Sequence, residues 1–421
     1  MSLLRIRGGN SLKGSVRVHG AKNSVLPIMA ASILSSGETV IHNCPNLSDV
    51  DAATKILRHL GCKVEMNSDC LYIDSSSMTR NDIPDNLMRE MRSSVIFLGA
   101  ILGRAGEAVI SMPGGCELGP RPIDLHLSAL RAMGAEIDEK GGNLYCKAKK
   151  LCGCRIDLAF PSVGATENSM LAASACQGET MIINAAREPE IRDLQEYLLK
   201  QGVRVSGAGT STITVNGANF RPEAEHWLIP DRIVTSTYLS AAAITRGRVD
   251  ITGVCPKDLI AVTDVLSEMG CYLNIGEDFI SIDARDGLKA PKRVYTSPYP
   301  GFPTDAQPTL MAASLLAEGT TAFVETIFKN RYRHAAELQR MGADIKIDGR
   351  VAIVSGVKVL HGAQVTATDL RGGAALSVAA LAAVGETVIS EIKHIERGYD
   401  DLAGALRSLG ADAEIVTGEN A

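Results

Sequence analysis

Six segments of the chain share one pattern: LRHLGCKVEM (Leu57–Met66), LRAMGAEIDE (Leu130–Glu139), LLKQGVRVSG (Leu198–Gly207), LSEMGCYLNI (Leu266–Ile275), LQRMGADIKI (Leu338–Ile347) and LRSLGADAEI (Leu406–Ile415). Each reads as the end of a helix, a glycine, then a strand. The glycines are Gly61, Gly134, Gly202, Gly270, Gly342 and Gly410, spaced 73, 68, 68, 72 and 68 residues apart. A glycine just past a helix end is the expected left-handed stop signal. Self-similarity at a fixed period decides architecture before any single residue does.

A second pattern interleaves with the first. AASILSSGETVI, LGAILGRAGEAVI, LAASACQGETMII, SAAAITRGRVDI, AASLLAEGTTAFV and AALAAVGETVI each carry small apolar residues up to Gly37, Gly106, Gly178, Gly247, Gly319 and Gly385, followed by a strand-like run. Every unit of about 70 residues therefore holds two helices, each followed by a strand, with shorter strands between. The first helix is apolar all round and should be buried. The second, as in DLQEYLLKQG, is amphipathic and should show one face to water. With 421 residues, six units divide naturally into two domains of three.

Composition narrows the function. Hydrophobic residues make up 45% and charged residues 22%, as in an ordinary globular protein. Aromatics are 4%, too few for a stacking platform on single-stranded nucleic acid, and the net charge of −5 attracts no polyanion globally. No secretory signal opens the chain, and the apolar run near Val95–Leu102 is far shorter than a membrane span. The expectation is a cytoplasmic protein with no membrane or nucleic-acid partner. Ten cysteines are too dilute for a disulfide scaffold; Cys146, Cys152 and Cys154 cluster without a histidine to complete a zinc set.

The starts of the apolar helices carry the chemistry. Their lead-ins are GAKNSVLP, MRSSVIFL, PSVGATENS, PDRIVTST, FPTDAQPT and TDLRGGAA, containing Lys22, Arg92, Ser162, Arg232, Asp305 and Arg371. Helix N-termini expose unpaired N–H groups and partial positive charge, so they favour anions. Pseudo-symmetry gathers three such ends in each domain, a design for a polyanionic ligand. The alternative for any one of these residues is an ordinary cap. No P-loop is present, and SGAGTS (Ser206–Ser211) lacks dinucleotide-binding spacing and reads as a turn.

GAKN, MPGGCELGPRPIDLH (Met112–His126), PSVGAT, NAAREPEI, PDRI, FPTD, NRYRH, TDLR and HIERGY occur in that order over nearly the whole chain. In this the chain resembles the enolpyruvyl transferase family, in its nucleotide-sugar branch. The resemblance implies a two-domain inside-out α/β barrel, each domain built from three β-α-β-α-β-β units around buried parallel helices. It places residues 21–229 in one domain, and 1–20 with 230–421 in the other, the active site lying in the cleft between them. The implied reaction is addition and elimination: phosphoenolpyruvate gives its enolpyruvyl group to a hydroxyl of UDP-N-acetylglucosamine, phosphate leaves, and no metal or organic cofactor takes part. This would begin peptidoglycan precursor synthesis.

The resemblance also assigns residues. Asp305 is the expected base for the sugar hydroxyl, although an N-cap aspartate reads identically. Cys116, in its GGC loop, is the expected acid and the thiol that fosfomycin would alkylate. Lys22, Arg121 and Arg397 are expected at the donor phosphate, Arg371 and Arg397 near the donor carboxylate, and Arg331 nearby. Asn23 and Asp369 would orient neighbours. Arg92, Arg121, Pro122, Ile123, Asp124, Leu125, Ser162, Val163, Asp305 and Ile327 match the family's nucleotide-sugar contacts. One departure is Phe160, where some members carry lysine; a diphosphate contact is in doubt there. Two rivals stay open: an enzyme of the same fold whose acceptor is shikimate 3-phosphate, and a non-catalytic sugar-nucleotide sensor. Phosphate release with one acceptor or the other separates them.

Overall fold

The computed structural model describes residues 2–91, 93–112, 123–217 and 219–417. Arg92, Cys116, Arg121 and Pro122, all expected site residues, lie outside the described residues. The chain divides into two compact units, one formed by its beginning and residues 230 onward, the other by residues from 20 to 229.

The described residues form six four-stranded sheets of identical topology. In each, a first strand pairs parallel with a second, the second antiparallel with a third, and the third antiparallel with a fourth. In the unit containing residues 20–229 the second strands are Glu38–His42, Glu107–Ser111 and Glu179–Ile183. In the other unit they are Arg248–Thr252, Thr320–Val324 and Glu386–Ser390. The sixfold glycine period is thus a sixfold sheet. All six glycines of the first pattern adopt positive φ, from 90° to 101°, as a left-handed helix stop requires.

Each unit is closed by remote chain. Glu223–Trp227 returns to pair in parallel with Glu38–His42. Lys13–Arg17 supplies the first strand beside Arg248–Thr252. Ser2–Arg7 sits between Glu386–Ser390 and Asp412–Thr417 and completes the last sheet. Gly37 and Gly247 stand at these closures and, unlike Gly106, Gly178, Gly319 and Gly385, do not have positive φ. A Cβ on Gly37 would lie 1.8 Å from the Pro222 carbonyl oxygen, and one on Gly247 would lie 2.5 Å from that of Leu12. Those carbonyls accept the N–H groups of Glu38 and Arg248, at 2.7 and 2.9 Å. Here glycine is required by close backbone approach, not by turn geometry.

Inside each unit lie three helices that are buried along nearly their whole length: Lys22–Ala31, Phe97–Ala105 and Val163–Ser174 in one, Arg232–Ile244, Gln307–Ser314 and Leu370–Ala382 in the other. Their small side chains (MAAS, AAAI, SVAALA) let helices pack closely, and buried serines and threonines such as Ser169, Ser174, Thr237, Ser240, Ser314 and Ser377 donate to carbonyls one turn back. The amphipathic helices, such as Ser48–Leu60 and Pro189–Lys200, bury one face and leave the other wet. One apolar core forms per unit. None of the described helices is long and apolar enough to cross a membrane.

The two kinds of glycine should respond differently to substitution. Gly37→Ala forces a side chain into backbone and should cost more than Gly178→Ala, whose Cβ meets nothing within 4 Å and suffers only its positive φ of 90°. We expect about 3 kcal/mol or more for the first against roughly 1–2 kcal/mol for the second. Urea unfolding of both variants measures the difference; equal losses would contradict the close-approach account.

Candidate active site

In the unit that begins at residue 230, the helices Arg232–Ile244, Gln307–Ser314 and Leu370–Ala382 bring charged lead-ins together at their N-terminal ends. Asp231 caps the first, accepting from the N–H groups of Ile233 and Val234. Asp369 caps the third, accepting from Arg371 and Gly372. The second has Ala306 at its cap position, with no side-chain cap. The Asp305 carboxylate goes elsewhere. It accepts from Arg331 Nη2 at 3.0 Å through Oδ1 and from Arg371 Nη2 at 3.4 Å through Oδ2. The cap reading of Asp305 gives way to a carboxylate bridging two arginines.

Both arginines are buried, at 2% and 4% exposure. Arg331 also donates from Nε and Nη2 to the Thr304 carbonyl, at 3.2 and 2.8 Å, and lies 3.9 Å from Asp369. Arg371 lies over the Tyr399 ring at 5.9 Å, and the Tyr399 hydroxyl hydrogen-bonds Thr237 at 2.8 Å. Burial alone would discourage the Arg371 cation; Asp305 beside it, with Tyr399 and Asp231, outweighs that and raises its pKa. For Asp369 burial likewise favours the neutral form, but Arg331, His334 and the two helix N–H groups prevail and its pKa is lowered. Arg397 is half-buried, two residues before Tyr399, and Arg232 is buried with its guanidinium 5.7 Å from the Tyr299 ring. Ile327 is half-buried in the loop after the strand Thr320–Val324.

In the unit formed from residues 20–229, Lys22 is the first residue of its helix and half-buried Asn23 the second. Lys22 is buried, and its ammonium lies 2.7 Å from Asp49, itself buried in the first turn of Ser48–Leu60. The Ser24 hydroxyl donates to Asp193, whose other oxygen is 2.8 Å from His226 Nε2. This fixes the helix that carries Lys22 against Pro189–Lys200. Ser162 holds the cap position of Val163–Ser174 without capping it by side chain, and both Ser162 and Val163 are half-buried. Thr166 donates to the Ser162 carbonyl and accepts from the Ala186 N–H, joining PSVGAT to NAAREPEI. Ile123 is buried, while Asp124 and Leu125 open the next helix, exposed and half-buried. Phe160 is exposed.

Sequence reasoning did not single out Asp49, Asp193, His334 or Glu325. Acidic residues in a first helical turn read as complements of the helix dipole, and no sequence signal marks the difference. Among the described residues no group of three or more His, Cys, Asp or Glu is arranged to hold a metal.

Sixfold sheets around buried helices, with arginines and carboxylates at the helix starts, define the enolpyruvyl transferase class. The family model described as EPSP synthase (3-phosphoshikimate 1-carboxyvinyltransferase) matches residues 6–406. The enolpyruvyl transferase NikO from Streptomyces tendae superposes with a TM-score of 0.89 at 27% identity, covering 99% of both chains. An EPSP synthase from Acinetobacter baumannii shares the fold, at TM-score 0.74 and 21% identity over 99% of this chain and all of that one. Two relatives bear a narrower name, UDP-N-acetylglucosamine 1-carboxyvinyltransferase. That of Caldanaerobacter subterraneus is 50% identical over 412 residues, 98% of this chain and 99% of the relative. That of Staphylococcus aureus is 45% identical over 420 residues, 99% and 100% of the two chains. The chain belongs to the EPSP synthase family, within it to the UDP-N-acetylglucosamine 1-carboxyvinyltransferases.

His334, fully buried beside Arg331 and Asp369, gives the unit a pH signature. Burial pushes its imidazole down from 6.5 to about 4, Asp369 opposing and Arg331 assisting. The unfolded chain therefore takes up the proton first. The stability owed to neutral His334 is complete above about pH 6.5 and is lost as pH falls through about 4, roughly 3 kcal/mol in all. Denaturant unfolding at pH 7.5 and 4.5 should show His334→Asn with a smaller pH-dependent loss than the unsubstituted protein; identical slopes would contradict the assignment.

Proposed function

We propose that this protein transfers the enolpyruvyl group of phosphoenolpyruvate to the 3-hydroxyl of UDP-N-acetylglucosamine and releases phosphate, the entry to peptidoglycan precursor synthesis, in the cytoplasm. The carrying observation is the carboxylate of Asp305, just before a buried helix, held between the buried Arg331 and Arg371, in a chain 50% identical to a relative bearing that activity's name.

The chemistry asks for a base at the sugar hydroxyl, a proton for C3 of the donor, and cations for a carboxylate and a phosphate. Asp305 is the proposed base. Its hydrogen bond to Arg371, at 3.4 Å, is longer than that to Arg331, at 3.0 Å. A guanidinium suits a carboxylate in a planar fork, so the donor carboxylate, with Arg397, recruits Arg371. Asp305 then keeps Arg331 and turns its released oxygen to the hydroxyl. Lys22, Arg121 and Arg397 are assigned to the donor phosphate; Asp49 holds the Lys22 ammonium at the N-terminal end of its helix, where an anion is favoured. Asn23 orients its neighbours, and Asp369 fixes the helix start that presents Arg371. Arg92, Arg121, Pro122, Ile123, Asp124, Leu125, Ser162, Val163 and Ile327 are assigned to the nucleotide sugar. Cys116 is the proposed acid.

Phosphate release from phosphoenolpyruvate tests the reading directly. It should require UDP-N-acetylglucosamine; release with shikimate 3-phosphate instead would move the chain to the other branch of the family. Asp305→Asn keeps shape but cannot take the hydroxyl proton, so it should fold and lose about 100- to 10,000-fold in turnover. Near-normal turnover would reduce Asp305 to a binding contact.

Cys116 lies five residues before Arg121, and positive neighbours raise thiolate content. It should be the cysteine that fosfomycin alkylates. Cys116→Asp retains a proton donor and should keep activity while resisting the epoxide. Peptide mass spectrometry locates the adduct; modification of Cys62 or Cys154 with Cys116 intact would contradict the role.

A further inference from the structure

One buried carboxylate beside Asp305 has no part in the chemistry above. Glu325 follows the strand Thr320–Val324 and is 1% exposed. Its Oε1 accepts the N–H groups of Ile327 at 2.7 Å and Phe328 at 3.0 Å. Its Oε2 accepts the Thr304 hydroxyl at 2.9 Å. The side chain thereby caps its own loop, as an N-cap carboxylate caps a helix, and reaches across to the loop that presents Asp305.

Thr304 is held from the other side as well, since its carbonyl accepts both hydrogen bonds from Arg331. The backbone of Glu325 is itself anchored by its N–H to the Arg350 carbonyl at 2.8 Å, and the Tyr332 hydroxyl bonds the carbonyls of Phe323 and Arg350. Thr304–Asp305 and Ile327 lie outside regular helix and strand, so no ladder of backbone bonds sets their separation. The Glu325 carboxylate does, together with the Arg331 guanidinium. Three donors point at its two oxygens, and an amide in its place would turn an N–H group toward one of them. The Thr304 hydroxyl would then have to turn and accept from that N–H instead of donating.

We propose that Glu325 is a positioning residue for the acceptor sugar: it fixes the distance between Asp305 and the Ile327 loop, and Thr304 transmits its hold. The inference rests on the functional reading above, in which both segments meet the nucleotide sugar. It predicts that loosening the link harms acceptor binding and turnover far more than the donor's affinity, because Arg371, the donor group bonded to Asp305, stands on its own helix start and gives up that bond when the donor arrives.

Thr304→Val keeps shape and removes only the cross-link, leaving the Glu325 loop cap intact; Glu325→Gln can keep the cap through its carbonyl oxygen and alters the bond to Thr304. Steady-state kinetics on the full-length variants, with melting temperature as control, reads the outcome. Thr304→Val should melt close to the parent, raise KM for UDP-N-acetylglucosamine about five- to tenfold, lower kcat, and change KM for phosphoenolpyruvate by less than about twofold. Thr304→Ser, which restores the hydroxyl, should recover the acceptor KM. A folded Thr304→Val with unchanged acceptor KM, or with equal losses for both substrates, overturns the inference while leaving the functional reading intact. If Glu325→Gln is unfolded, the Thr304 pair still decides. An unsubstituted protein that releases no phosphate from the two substrates fails the functional reading, and the inference with it.

Discussion

Three buried helix starts meeting in one place concentrate partial positive charge, and the carboxylates of Asp231, Asp305 and Asp369 answer it. Two of them do so as helix caps. Asp305 instead binds Arg331 and Arg371. Burying guanidinium groups is costly unless carboxylates and carbonyls meet them, and here each arginine has an aspartate within 3.4 Å. The same arrangement that makes the buried arginines tolerable also leaves a guanidinium that an incoming carboxylate can capture. Stability and chemistry draw on one set of contacts.

The fold exists to bring those helix starts together. Each helix is buried because its residues are mostly small, so helices pack closely, and many of the buried hydroxyls bond back to their own helix. The surrounding sheets repeat one topology six times. In both units, strands from distant parts of the chain complete the sheets, and Gly37 and Gly247 permit the backbone contact where they do. The amphipathic helices then contribute the buried carboxylates Asp49 and Asp193, which fasten Lys22 and Ser24 at the start of a helix rich in apolar residues.

Much of this was legible in the sequence because periodic glycines and apolar helix patterns are local signals. The six turn glycines, the buried helices and the charged residues at their starts all follow from them. Other features are not local. Nothing in NLSDVDAATK distinguishes Asp49 as the partner of Lys22 from an acid that complements the helix dipole. FVETIF gives no sign that Glu325 reaches Thr304, since that bond joins residues 21 apart. FPTDAQPT is equally compatible with a cap, and only the arginines on either side of Asp305 reveal its setting. Gly37 and Gly247 look like their four counterparts, yet serve a different purpose because the strands beside them come from far away.

Capture of Arg371 by the donor carboxylate, as proposed, would leave Asp305 to the acceptor hydroxyl. The direct measurement is a crystal structure with phosphoenolpyruvate and an acceptor analogue lacking the 3-hydroxyl, which cannot turn over. The donor carboxylate should lie on Arg371, with Arg331 still bonded to Asp305 and the freed Asp305 oxygen facing C3 of the sugar. Phosphoenolpyruvate bound with its carboxylate elsewhere, and the Arg371–Asp305 hydrogen bond intact, would contradict it.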